Sequence, residues 1–92
     1  MTIRALEVAK FLGKEIVGSD REVISPCSVD NCIDGGLIFI KRYDENILSK
    51  LSKRQELTAI VTEDYDGKLS CTYIISENPR LDFARVLQEF FV

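Results

Sequence analysis

The chain predicts a small α/β fold, a single-domain sandwich in which a mixed sheet of about five short strands is covered by three helices. Three observations point there. Apolar residues recur at helical spacing near both ends and in the middle of the chain. Between those segments lie short runs such as Leu37-Ile38-Phe39-Ile40, apolar on every residue, the pattern of strands covered on both faces. Finally, 92 residues at 46% hydrophobic and 29% charged make one ordinary globular domain with no disordered window. Residues 1–92 are therefore one unit, without repeat or linker.

Thr2 can cap a first helix running to about Leu12, with Leu6 and Ala9, and with Ala5, Val8 and Leu12, on its inner side and Gly13 as its stop. Glu15-Ile16-Val17 is a short strand, and Gly18-Ser19-Asp20 a turn. Val23 to Val29 is β-branched enough for a second strand, which Pro26 confines to an edge or breaks midway. A loop from Asp30 to Gly36, turning at Asp34-Gly35-Gly36, feeds the apolar strand Leu37–Ile40.

A middle helix follows from about Asp44 to Arg54, with Ile47, Leu48 and Leu51 on one face and Lys50, Lys53 and Arg54 in its last turns. Residues 58–62 and 71–75 are strands separated by a polar turn. Asn78 caps the last helix and Pro79 suits its first position. Along that helix Phe83, Val86, Leu87, Phe90 and Phe91 form the apolar face, and Arg80, Asp82, Arg85, Gln88 and Glu89 are expected to stay wet. Its apolar end, Phe90-Phe91-Val92, lacks a glycine stop and a basic last turn, and is expected to be a junction to a further domain.

Composition excludes several classes of chemistry. A net charge of -3 argues against a duplex-binding domain, which needs concentrated Lys and Arg to displace counterions; no nucleic acid partner is expected. No apolar run approaches the roughly 20 residues of a membrane span and no signal-peptide pattern opens the chain, so a cytoplasmic location is expected. Cys27, Cys32 and Cys71 are odd in number and unpaired in spacing, and there is no histidine, so they read as reduced structural cysteines, with no metal site and no cofactor. No phosphate-binding loop, dinucleotide fingerprint or nucleophile elbow occurs, and no catalytic residue is assigned. The carboxylates Asp30 and Asp34, or Asp64 and Asp66, could in principle form an acid–base pair, but each pair lies in a turn-like segment where short polar residues are expected anyway, and they read as solvated turn residues.

One segment has the makings of a ligand site. Phe39-Ile40-Lys41-Arg42-Tyr43 lies where a strand ends and a helix is about to begin, the position where ligands collect on open α/β sheets. Its rings can stack on a base, and Lys41 or Arg42 can neutralise phosphate. The same residues also fit a plainer role, with Phe39 in the core, Tyr43 closing the face of the next helix, and the two cations solvated.

Four stretches, in order, resemble the N-terminal domain of the UDP-3-O-acylglucosamine N-acyltransferases of lipid A biosynthesis. They are Ile3 to Gly18; Ile24-Ser25-Pro26-Cys27-Ser28-Val29-Asp30 with Gly36-Leu37-Ile38-Phe39; Thr58-Ala59-Ile60-Val61; and Asn78-Pro79-Arg80-Leu81-Asp82-Phe83-Ala84-Arg85-Val86-Leu87. The resemblance implies a domain that binds the uridine end of a UDP-sugar, with Phe39 beside the base. Tyr43 would be the second aromatic, and Lys41 or Arg42 would lie near phosphate. It further implies a following β-helix of hexapeptide repeats that carries the catalytic histidine, a full-length homotrimer, and acyl carrier protein as donor to the full-length enzyme. In that family an asparagine tends to stand three positions after the aromatic and a tyrosine three further on; here those positions are Arg42 and Glu45. The alternatives are an interaction or scaffold module of the same fold without nucleotide binding, and the UDP-binding N-terminal domain of a Mur ligase, whose Ser-Pro strand and loop are similar.

Overall fold

A computed structural model describes residues 3–91. The expected cap Thr2 and the terminal Val92 lie outside the described residues. Twelve elements follow one another: β1 (Ile3–Arg4), α1 (Ala5–Leu12), β2 (Ile16–Val17), β3 (Glu22–Val23), β4 (Ser25–Pro26), a 3₁₀ turn (Val29–Asn31), β5 (Gly36–Phe39), α2 (Glu45–Leu51), β6 (Thr58–Val61), a second 3₁₀ turn (Glu63–Tyr65), β7 (Thr72–Ile75) and α3 (Pro79–Phe90). Five strands form one sheet in the order β2-β7-β6-β5-β4, with β2 antiparallel and the others parallel, and β1 pairs with β3 in a two-stranded ribbon. This is the mixed-sheet α/β architecture that the sequence predicts.

Strand periodicity separates two cores. Leu37, Ile60 and Ile74 point to the side covered by α1 and α3, where they join Ala5, Val8, Ala9, Leu12 and Val86. Ile38, Ala59, Val61 and Tyr73 point to the other side, covered by α2 and the 3₁₀ turn at Tyr65.

Several local expectations are corrected. The first helix starts at Ala5: Leu6 N–H donates to the Asp20 carboxylate at 2.9 Å, and the N–H of the capping Arg4 donates to Glu7 of the helix's own first turn at 3.1 Å. The amide of Leu6 holds the Asp20 carboxyl below its ordinary range, assisted by Arg4. Leu6 faces outward at 40% exposure, whereas Ala5, Val8, Ala9 and Leu12 face inward. Gly13 ends the helix in the left-handed region at φ 71°, with its N–H on the Ala9 and Lys10 carbonyls.

The expected strand from Val23 to Val29 is broken at Ile24 into β3, which pairs with β1, and β4, which is the sheet edge where Pro26 costs no ladder bond. The middle helix is shorter than its pattern: Asp44 is its cap, accepting from Asn46 and Ile47 amides, and it ends at Leu51, so Lys53 and Arg54 lie beyond it.

Asp82, expected on the wet face of α3, is only 7% exposed. It receives the Ser76 hydroxyl at 2.6 Å, and Ser76 in turn accepts the Asn78 amide at 3.0 Å, so the start of α3 is tied to the end of β7. The apolar end of the helix has a partner inside the domain. Phe90 meets Phe11 edge-on at 5.5 Å between ring centroids, and Phe91 packs against the same core.

Candidate functional site

The three central strands of the parallel ladder end together. Phe39 stands opposite Ile60 and Val61 opposite Ile75, so the register continued past them brings Lys41, Thr62 and Ser76 level at one edge of the sheet. Antiparallel β2, with Ile16 opposite Ile74, adds Lys14 to that row. A cleft of about 520 Å³ opens here, lined by Lys14, Thr62, Glu63, Asp64, Ser76 and Glu77. Its size falls within the range of small-molecule sites, roughly 300–1,000 Å³.

A second recess of about 390 Å³, lined by Tyr43, Glu45, Asp64 and Lys68, shares Asp64 with the first. The Thr62 hydroxyl in the larger cleft is buried and has no hydrogen-bond partner among the described residues; Thr58, at the other end of β6, shares that condition.

The four residues singled out from the sequence divide between the faces of the sheet. Phe39 lies on the α1/α3 side, its ring 4.7 Å from that of Phe83. Tyr43 lies on the α2 side, against Tyr65 at 5.1 Å, with the Lys68 ammonium over its ring at 4.6 Å. The two rings therefore do not form one clamp. Lys41 and Arg42 are exposed at the strand end, between the two aromatic positions in the chain.

Sequence reasoning missed Tyr65 and Lys68. Both belong to a stretch that reads as polar turn, Asp64 to Lys68, and the available signal was an aromatic residue inside it. Tyr65 is fully buried. Its hydroxyl accepts the Asp44 amide at 2.9 Å and donates to the Arg42 carbonyl at 3.1 Å, and burial pushes its pKa up. The Tyr73 hydroxyl, also raised by burial, accepts the Gly67 amide at 2.7 Å and donates to the Asp66 carboxylate at 2.8 Å.

The remaining chemistry-bearing groups are occupied or inert. Burial pushes the Cys71 thiol up to about 11, and burial beside Cys27 raises Cys32, so both remain thiols at neutral pH. Asp30, Asp34, Asp64 and Asp66 are all exposed turn residues. A smaller recess of about 290 Å³ beside Cys32 is bridged by Lys50 on Asp30 at 2.9 Å and by Arg54 on the Cys32 carbonyl at 2.9 Å. Among the described residues, no group of three His, Cys, Asp or Glu is placed to hold a metal ion, and no helix is long and apolar enough to cross a membrane. No protein-family model and no curated protein matches this sequence.

Proposed function

We propose that the domain holds the nucleotide end of a UDP-amino sugar, as the non-catalytic part of a bacterial UDP-3-O-(3-hydroxyacyl)glucosamine N-acyltransferase of lipid A biosynthesis. The observation that carries this reading is the convergence of three parallel strand ends on one cleft, with Lys41 level with Thr62 where β5 ends, Tyr43 in the adjoining recess that shares Asp64, and an unpartnered Thr62 hydroxyl in the cleft wall. Open α/β sheets bind ligands at such ends. The resemblance supports it from the sequence side, because its four stretches coincide with α1–β2, β4–β5, β6 and α3. In this reading Tyr43 stacks on the base, Lys41 or Arg42 meets the diphosphate, and Phe39 supports the strand end from the core side through Phe83. Acyl transfer from acyl carrier protein, and the trimer, belong to the rest of the enzyme.

The test is a titration of the ¹⁵N-labelled domain with UDP-N-acetylglucosamine, with and without Mg²⁺. Amides of residues 41–45, 62–64 and 68 are expected to move; none moving at millimolar ligand removes the reading. The second reading, a docking module without nucleotide, is favoured by one observation: the two recesses carry Glu45, Glu63, Asp64 and Glu77 against Lys14 and Lys68, a balance that opposes a diphosphate. A titration that is silent in both conditions favours this module.

A further inference from the structure

The turn that carries Lys41, Arg42 and Tyr43 has little to hold it. Among the described residues, the ladder bond from Ile40 to Ile60 is the last before it, and no backbone–backbone hydrogen bond ties residues 41, 42 or 43. One side chain supplies what the backbone lacks. The Tyr65 hydroxyl bonds to the residues on either side of Tyr43, accepting from the Asp44 amide and donating to the Arg42 carbonyl, while its ring supports the Tyr43 ring at 5.1 Å. A hydroxyl with one donor and two acceptor sites can serve both partners at once. Tyr65 is fully buried, so water does not readily replace it in either bond.

We propose that Tyr65 is the positioning residue of the nucleotide-sugar site: its hydroxyl holds the 41–44 turn in the conformation that binds ligand, so that affinity depends on an oxygen that never touches it. This rests on the reading of the site given above. The Tyr73 hydroxyl is the parallel device on the other bank, holding Asp66 and Gly67 beside Lys68. An ordered turn binds with less entropy to lose, which is why a support of this kind appears in the affinity.

Tyr65→Phe removes the oxygen and keeps the ring. In the free domain the Asp44 amide is expected to exchange with solvent about tenfold faster, with shifts centred on residues 41–44, the loss of about one hydrogen bond. The Kd for UDP-N-acetylglucosamine is expected to weaken about tenfold. Val86→Ala, on the opposite face, serves as a destabilised control that leaves both readouts unchanged. Unchanged Asp44 exchange in Tyr65→Phe overturns the proposal without reference to ligand. Equal Kd values for wild type and Tyr65→Phe overturn it while the nucleotide reading stands, and a wild-type domain that binds no UDP-sugar overturns that reading, and the ligand role of Tyr65 with it.

Discussion

The two faces of the sheet are built differently. On one, α1 and α3 lie over Leu37, Ile60 and Ile74 and close a core that is aliphatic and aromatic, with Asp82 and Ser76 pairing at its border. On the other, the seven-residue α2 and a 3₁₀ turn cover Ile38, Ala59 and Val61, and tyrosine hydroxyls tie loops where helix would otherwise extend. The first face is secured mainly by packing, with polar bonds at its helix starts; on the second, directed polar bonds order the turns themselves. The recess beside Tyr43 opens on the side with less helix. In the proposed reading the α1/α3 side is the scaffold and the α2 side the face that carries the ligand.

The contrast is broken most severely by cavities. Ile60→Ala, under both long helices, is expected to cost about 4 kcal/mol, whereas Leu51→Ala in the short α2 should cost about 2 kcal/mol, because half-buried neighbours can settle into the space. Urea unfolding of the two variants side by side measures the difference, and equal losses would mean that the faces are equally rigid.

Cys71 sharpens the comparison through pH. Its thiol is raised to about 11 by burial on the α2 side. Below about pH 9 it is protonated whether the chain is folded or not, and its contribution to stability is fully present. Above that the unfolded chain ionises first, so stability drains away until about pH 11, by on the order of 3 kcal/mol. Cys71→Ala should flatten that limb of the stability profile; a parallel loss in both proteins would assign it to other groups.

Smaller effects follow from the termini and the surface. Asn78→Ala, which removes the side chain that accepts the Leu81 amide, is expected to lower stability by about 1 kcal/mol in thermal or urea melts. Lys50→Met is expected to leave the melting midpoint unchanged, since its bridge to Asp30 joins two exposed side chains; a clear loss would give the recess beside Cys32 a structural role it lacks here.

The fold was legible because its signals are local. The run Leu37–Ile40 alternates between the two cores as a strand covered on both faces should, Asn78-Pro79 opens α3, and Gly13 closes α1. Pro26 placed β4 at the edge. The site was less legible. Phe39 and Tyr43 are four residues apart, and the sequence cannot show that one ring falls under α3 and the other beside Tyr65, because the chain leaves the strand between them.

What the amino acids determined by themselves is therefore the three helices, the main strand segments and the two-sided burial of the central strands, but neither β1 nor the break between β3 and β4, since helical and strand periods are written in neighbouring residues. Only the tertiary structure decided which groups meet across the chain: Asp20 on the first turn of α1, Ser76 on Asp82, and Tyr65 on the backbone around Tyr43. The physical reason is that a polar side chain near a helix end or in a turn has solvent as its default partner. It is drawn inside only when folding places an unsatisfied donor or acceptor beside it.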